Sequence, residues 1–212
     1  MARCTCTAEH EQQRVVLTGG PGAGKTAFLE LVRQSLCQHV MVLPESASVL
    51  FSGGFPRDDD RDCRRAAQRA IYHVQRELEA VAVTHRAAVV ICDRGSIDGL
   101  AYWPGDVDDF WEDVGTTREV ELARYEAVIH LRTPSSAQGY NHRNPLRTET
   151  AEAALAIDAR ILEVWAGHPH HHVVESSHFY LEKAATALRY LQGQLPACCV
   201  NSLQDAGGGD AP

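Results

Sequence analysis

The sequence has 212 residues, of which 44% are apolar and 23% charged, and its formal net charge is -8. That length suits one α/β domain with a full core and is too short for two domains of ordinary size. The negative balance argues against a nucleic-acid partner, because neutralising a phosphate backbone takes a basic face. It also opposes nonspecific attraction to anionic lipid, although a local basic patch would still permit peripheral contact with a membrane.

The sequence contains no recognisable membrane or export segment. No apolar run approaches the roughly 20 residues of a membrane span, and polar residues 4–10 stand where a signal peptide would have its apolar centre. These features predict a cytoplasmic protein without a transmembrane segment, whose seven cysteines are thiols. The pairs Cys4 with Cys6 and Cys198 with Cys199 lack the spacer of a zinc knuckle and a nearby histidine pair, which argues against a metal site.

The predicted elements alternate between short apolar strands and helices. Residues 1–13 are predicted to be a flexible leader, and strands are predicted at 14–18, 40–43, 87–92, 127–131 and 172–175. Helices are predicted directly after the first strand's loop to about 39, then at 63–85, 151–167 and 180–191, with a disordered tail over 192–212. This alternation predicts one α/β domain over 14–191, a five-stranded parallel sheet with helices on both faces.

The long helix at 63–85 carries apolar residues at three- and four-residue steps. These residues are Ala67, Ile71, Val74, Leu78 and Val81. The spacing predicts a stripe that faces the core.

The most informative stretch lies between the first strand and the first helix. Its eight residues fit G-x-x-x-x-G-K-[ST], the phosphate-binding P-loop, and are Gly19, Gly20, Pro21, Gly22, Ala23, Gly24, Lys25 and Thr26. Backbone N–H groups can wrap a phosphate only where no Cβ intervenes, which explains the glycines. We expect Lys25 to reach the β- and γ-phosphates of ATP or GTP and Thr26 to offer its hydroxyl to Mg²⁺.

Ligands of a parallel sheet gather where the strands end, so the residues just past each strand are the next candidates. Asp93 follows an apolar strand as a Walker B acid does and would hold Mg²⁺, or else it caps the next turn. Arg94 is placed to donate to transferring phosphates. Glu45 follows the second strand and is either a proton acceptor and substrate ligand or a surface glutamate. Asp98 is a secondary candidate for the same pocket.

The polar segment after the fourth strand, residues 133–150, occupies the place of a lid in small P-loop kinases. Its arginines Arg143 and Arg147 suit a lid, because phosphoryl transfer spreads negative charge over oxygens that water would otherwise reach. The two share a face if the segment is helical, although Pro145 lies between them. The alternative is that both are solvated surface arginines.

Two further clusters have competing interpretations. Aromatic and acidic side chains within residues 102–111 are either core packing or an acceptor pocket. The histidines near the last strand invite a metal interpretation, but no carboxylate lies at ligand spacing and solvated side chains are the simpler one. These histidines are His168, His170, His171 and His172.

Several blocks together resemble the NadR-like AAA domain group. That group includes ribosylnicotinamide kinase domains and the animal proteins named for a defect in TRP-like channel translocation. The resemblance covers about residues 14–191 and rests on the blocks at 16–26, 44–47, 93–103, 147–150 and 165–170. The last block is closer to the channel-translocation branch.

The resemblance implies a P-loop, nucleoside-kinase-like fold with a lid that binds ATP or GTP with Mg²⁺. It assigns residues 19–26 to the phosphate loop, Asp93 to the metal and Arg147 to the lid. It also makes the His168 block a family feature rather than a metal site. One departure concerns Ser48, which stands where related proteins often carry an arginine after the glutamate turn.

Two functions are compatible with these residues. The first is a kinase that transfers the terminal phosphate of ATP or GTP to an unidentified small hydroxyl compound. The second is a nucleotide-gated regulatory protein that binds a lipid or protein partner with little turnover. An NTPase motor is a third, weaker interpretation, since it would need arginines supplied by a neighbouring subunit.

Overall fold

A computed structural model describes residues 6–135 and 150–200. In these residues the chain builds a five-stranded sheet in the order β2-β3-β1-β4-β5, and every pairing is parallel. The strands are β1 (Gln13–Thr18), β2 (Val40–Leu43), β3 (Val89–Asp93), β4 (Ala127–Leu131) and β5 (His171–Val174). The predicted α/β fold with a five-stranded parallel sheet is confirmed.

Within the described residues, seven α-helices and one 3-10 helix, Asp98–Tyr102, accompany the sheet up to residue 192, and residues 197–200 are helical as well. The helices are α1 (Lys25–Ser35), α2 (Ser46–Ser52), α3 (Arg61–Val83), α4 (Val107–Val114), α5 (Arg118–Leu122), α6 (Ala151–Val164) and α7 (Tyr180–Gln192). The sequence did not predict α2, α4 and α5, which are too short for a helical period to stand out.

The sheet separates two cores. Val15 and Leu17 of β1 point to one face, where they pack with α1 and α7, while Val16 between them points to the other. That second face packs with Ile157 and Ile161 of α6. The alternation along β1 is therefore apolar on both sides, as a strand covered by helices on both faces requires.

The predicted core-facing stripe of α3 is wrong in part. The residues that α3 buries are Ala67, Tyr72, Gln75, Glu79 and Ala82, whereas Val81 is 55% exposed. The buried face of α3 differs from the predicted stripe because it includes the polar side chains of Gln75 and Glu79. A prediction from the spacing of apolar residues cannot identify buried polar residues. Glu79 accepts a hydrogen bond from Tyr125 (2.7 Å) and forms an ion pair with Arg124. These two contacts offset the cost of burying its carboxylate.

The register of the sheet brings the candidate residues to one edge. Leu17 of β1 lies opposite Asp93, and Leu43 of β2 lies opposite Cys92 of β3. Because Glu45 comes two residues after Leu43, and the P-loop follows Thr18, their segments leave the sheet beside Asp93. Sheet register thus brings Glu45, the P-loop and Asp93 to one edge of the sheet.

Packing continues beyond the predicted end of the domain at residue 191. Leu195 and Cys199 are buried against the same core as α7. Among the described helices, none combines the length and apolar character that a membrane span requires.

Candidate functional site

The P-loop is shaped by glycines in the left-handed region of backbone space. Gly19, Gly22 and Gly24 have φ angles of 131°, 78° and 95°. A Cβ on Gly19 would lie 2.1 Å from the carbonyl oxygen of Leu131 in β4, so only glycine fits there. The Lys25 ammonium donates to the carbonyls of Gly19 (2.7 Å) and Gly20 (3.1 Å), which uses two of its three N–H groups.

The electrostatics around Lys25 are those of a buried cluster of charges. Burial, followed by the nearby Arg94 charge, lowers the pKa of Lys25 to about 7, while Asp93 and Glu45 act in the opposite direction. A lysine held in so little water binds an incoming phosphate strongly, because little hydration must be removed at that moment.

Glu45 and Arg94 form an ion pair between the ends of β2 and β3. Arg94 Nε donates to Glu45 Oε1 at 2.6 Å, and Ser48 Oγ donates to Glu45 Oε2 at 2.5 Å. Arg94 also donates from Nη1 to the Gly19 carbonyl at 3.2 Å. The structure therefore connects the glutamate turn to the P-loop through one guanidinium, and Ser48 takes a local role on the carboxylate.

Arg94 has a backbone conformation that is rare for its residue type. Its φ is 74°, and among the described residues it is the one non-glycine with a positive φ. A side chain in the left-handed region costs about 1–2 kcal/mol. In this backbone conformation the Arg94 guanidinium contacts both Glu45 and Gly19. Strained residues of this kind concentrate at functional sites.

Asp93 has a buried carboxylate oxygen, Oδ1, without a hydrogen-bond partner in the described part of the chain. Burial raises the pKa of Asp93 above its ordinary value, although the Lys25 charge opposes this. A buried carboxylate oxygen left without a donor is costly unless a ligand satisfies it.

Asp98 is a buried residue that supports the site and does not line its exposed surface. Its oxygens accept hydrogen bonds from Thr18 Oγ1 (2.7 Å) and Trp165 Nε1 (2.5 Å), and its side chain is nearly fully buried. Arg94 Nη1 lies 3.9 Å from Asp98 Oδ2. Asp98 thereby ties the end of β1 to the end of α6 and adds negative charge behind Arg94.

A family model described as an AAA domain matches residues 14–182. The chain belongs to this family. The match covers most of the sequence and contains every site residue described above. It places the P-loop in a domain family for which nucleotide binding is implied, as the sequence predicts.

Two solved structures share the fold of this AAA domain. One is a deoxyadenosine kinase from M. mycoides with bound dATP, with a TM-score of 0.60 at 14% identity over 85% of this chain and 99% of that chain. The other is a thymidylate kinase from Candida albicans, with a TM-score of 0.59 at 13% identity over 86% and 92%. No curated protein matches the sequence. The P-loop kinase-like fold is thus confirmed.

Asp158 of α6 is a site residue that the sequence did not single out. Its Oδ1 accepts hydrogen bonds from the Gly20 backbone N–H (2.9 Å) and from His130 Nε2 (3.0 Å), and Arg132 Nε lies 3.0 Å from its Oδ2. The sequence signal for Asp158 was an acidic residue beside Ile157 and three residues before Ile161, both of which are buried. Through Asp158, the helix that follows residues 133–150 holds the second residue of the P-loop.

The start of α7 contacts the P-loop from the other side. Tyr180 donates its hydroxyl to the Gly24 carbonyl at 3.1 Å, and Lys183 Nζ donates to the carbonyls of Ala23 (2.7 Å) and Arg132 (2.5 Å). Burial lowers the pKa of Lys183 to about 8. These carbonyls belong to the P-loop and to the residue after β4, both distant in sequence from α7, so the contacts could not be predicted from the sequence.

The remaining predicted candidates divide between packing and undescribed residues. Trp103 and Phe110 are buried and pack with Tyr72, which supports core packing for most of the aromatic segment. Arg143 and Arg147 lie outside the described residues, so their lid role remains a prediction.

The histidines near β5 have different roles. His168 is buried, and its Nε2 lies 2.9 Å from the Tyr125 carbonyl, which makes it part of the scaffold rather than a solvated side chain. His170 is bonded through Nδ1 to the Glu126 carbonyl at 2.8 Å.

The Glu45–Arg94 pair predicts a pH-dependent contribution to stability. Burial alone would raise the pKa of Glu45, but Arg94 and Ser48 lower it from 4.5 to about 2. A lowered folded-state pKa means that the stabilisation is full above about pH 4.5 and is lost as the pH falls toward about 2. We expect the free energy of unfolding of wild type to exceed that of Glu45→Gln by at most about 3 kcal/mol near neutral pH.

Urea unfolding of wild type and Glu45→Gln at about pH 7 and about pH 3 measures this contribution. The difference in unfolding free energy between the two proteins should narrow on acidification. A difference of equal size at both pH values would mean that the ion pair does not stabilise the fold.

Proposed function

We propose that this AAA domain is a small-molecule kinase that transfers the terminal phosphate of ATP or GTP to a hydroxyl group. The observation that carries the proposal is the Glu45–Arg94 pair, which is held beside the P-loop by the Arg94 contact to Gly19. Pure nucleotide binding requires the P-loop, whereas a carboxylate next to it supplies a place for a second reactant.

Glu45 has the capacity to receive that reactant. A carboxylate offers about four lone-pair positions, and Arg94 and Ser48 occupy one on each oxygen. A substrate hydroxyl donating to Glu45 would point its oxygen toward the P-loop. As Arg94 turns its N–H groups to the transferring phosphoryl group, Glu45 loses positive charge beside it and becomes a better acceptor for the hydroxyl proton.

Lys25 and Arg94 would carry the charge that builds up during transfer. The Lys25 ammonium stands over the P-loop carbonyls, and the guanidinium of Arg94 presents a rigid fork of donors. Preorganised donors in a site with little water are an effective form of transition-state stabilisation. Arg143 and Arg147, if they close as a lid, would add to this charge.

The donors of the site fit Mg²⁺, a hard cation that prefers carboxylate and hydroxyl oxygens. Asp93 has a buried oxygen that lacks a protein donor in the described residues, and Thr26, the second residue of α1, is exposed. We propose that Asp93 and Thr26 hold the ion. When bound, it neutralises charge on the β- and γ-phosphates.

An acceptor panel tests the kinase proposal. ADP or GDP formation is measured with ATP or GTP and Mg²⁺, alone and with nucleosides or small alcohols added. We expect at least one acceptor to raise turnover by about 100-fold or more in wild type and to lose this effect in Glu45→Gln. Nucleotide binding without any acceptor-stimulated turnover across the panel would count against a kinase.

One observation favours the second candidate, a nucleotide-gated regulatory protein. Phe179 and Leu181 are 70% and 79% exposed, and they flank Tyr180, which is bonded to Gly24 of the P-loop. A change in the loop on nucleotide binding would therefore move two exposed apolar side chains that could contact a lipid or protein partner. This function predicts nucleotide binding with little turnover, so the acceptor panel separates the two.

A further inference from the structure

Thiol and imidazole side chains from three distant parts of the chain converge at one place. They come from the leader, from the connection between α1 and β2, and from the helical residues 197–200 after α7. The six residues, called here the thiol–imidazole cluster, are Cys6, His10, Cys37, His39, Cys198 and Cys199. The sequence argued against a metal site because its cysteine pairs lack the spacer of a zinc knuckle and a nearby histidine pair.

The inner part of the cluster holds the ligand atoms of Cys37, His39 and Cys199 within 4.8 Å of one another, and Cys198 adjoins two of them. Cys199 Sγ lies 2.9 Å from Cys37 Sγ and 3.4 Å from His39 Nδ1, and Cys37 Sγ lies 3.6 Å from His39 Nδ1. Cys198 Sγ lies 3.9 Å from both His39 Nδ1 and Cys199 Sγ. Zinc bonds of about 2.0–2.3 Å in a tetrahedron place ligand atoms about 3.5 Å apart.

The outer part of the cluster covers this set. His10 Nε2 lies 3.4 Å from Cys198 Sγ and 3.7 Å from Cys6 Sγ. The rings of His10 and His39 meet edge to face with centroids 5.0 Å apart. The leader is thereby brought over the inner ligands, and Cys198 lies between the two parts.

The cluster is remote from the phosphate site. The His39 carbonyl accepts hydrogen bonds from the N–H groups of Ala88 (2.8 Å) and Val89 (3.0 Å), at the amino-terminal edge of the sheet. The P-loop and Asp93 lie at the carboxyl edge. His39 and Cys199 are also buried, with 5% and 2% exposure, which fits a structural metal site closed to substrate.

We propose that Cys37, His39, Cys198 and Cys199 bind one Zn²⁺ ion that fastens the helical residues 197–200 to the connection that precedes β2. Three sulfurs and one imidazole form a soft ligand set that selects zinc over Mg²⁺ or Ca²⁺. His10 and Cys6 position Cys198 and shield the ion. Each thiol releases its proton to solvent as the sulfur–zinc bond forms, and no oxidation state changes.

Metal content of the full-length, tag-free chain tests this proposal. Protein purified from zinc-supplemented cells under reducing conditions is analysed by mass spectrometry for metals. We expect about one zinc ion per chain. Reconstitution with Co²⁺ should give the visible bands of a tetrahedral ion and thiolate charge-transfer absorption.

Variants assign the ligands. Cys37→Ser and Cys199→Ser should reduce zinc to near zero, whereas Cys63→Ser, whose thiol lies on α3, should retain the wild-type content. Cys199 is buried and its variant can misfold, so the half-buried Cys37 carries the test independently. Nucleotide affinity should be unchanged in Cys37→Ser, because the P-loop is at the other edge.

Three results would overturn the proposal. The first is wild type that stays metal-free after reconstitution with zinc under reducing conditions. The second is equal zinc content in Cys37→Ser, Cys199→Ser and Cys63→Ser. The third is a chain in which Cys37 and Cys199 resist alkylation as a disulfide and no metal is bound.

Discussion

The Lys25→Ala variant should bind ATP or GTP at least about 100-fold more weakly than wild type, because charge-assisted hydrogen bonds to phosphate are worth about 1.5–3 kcal/mol each. Two P-loop carbonyls hold the Lys25 ammonium beside the loop, and its third N–H group is available to a phosphate oxygen. Calorimetric titration with a non-hydrolysable nucleotide measures the change in affinity.

Arg33→Ala provides the matched control for Lys25→Ala. Arg33 is on the same helix and also positive, but its side chain is 47% exposed and pairs with Glu30 at 3.9 Å. Its removal changes the net charge equally and should leave nucleotide affinity unchanged. Equal losses in the two variants would indicate that general charge, rather than the P-loop lysine, determines binding.

The Asp93→Asn substitution should reduce nucleotide turnover by about 100- to 1,000-fold, because a loss of this size is typical when one major electrostatic contribution to the transition state is removed. The amide keeps the size of the side chain and removes its charge at the end of β3. Because Asp93 is not part of the P-loop, nucleotide should still bind without Mg²⁺. The enhancement of affinity by Mg²⁺ that we expect for wild type should be lost.

Titration of nucleotide with and without Mg²⁺ distinguishes this role from the alternative that Asp93 only caps a turn. Asp62→Asn, an exposed change at the start of α3, serves as the control. If Asp93→Asn responds to Mg²⁺ as wild type does, the metal role is wrong. If it fails to fold, as thermal unfolding would reveal, the residue supports the turn instead.

The sequence predicts the sheet and the P-loop well because both depend on local patterns. Continuous apolar runs define buried strands, and the glycines of residues 19–26 define a backbone shape that few other sequences adopt. Asp93 was predicted from the same kind of local pattern, because it is an acidic residue at the end of an apolar strand. The AAA domain family, recognised from these blocks, is confirmed.

Contacts between segments that are distant in sequence could not be predicted in this way. Asp158 bonds Gly20 across 138 residues, and Tyr180 bonds Gly24 across 156. The thiol–imidazole cluster joins residues as far apart as His10 and Cys198. Pairings of this kind depend on how helices pack on the sheet, for which one sequence contains no direct signal.

The displaced buried face of α3 has a similar cause. Gln75 donates to Glu79 at 2.9 Å, and both are nearly fully buried. Polar side chains that are hydrogen-bonded to each other can occupy a core face, whereas apolar periodicity assigns them to solvent. Buried polar networks are therefore a systematic source of error in this kind of prediction.

The fate of the terminal phosphate is the most direct test of the kinase proposal. Nucleotide labelled in the γ-phosphate is incubated with Mg²⁺ and the acceptor panel, and the label is located by chromatography. We predict that it appears on an organic acceptor with wild type and not with Asp93→Asn. Label found only in unreacted nucleotide or in inorganic phosphate, with every acceptor, would contradict a kinase and favour a nucleotide-gated regulator.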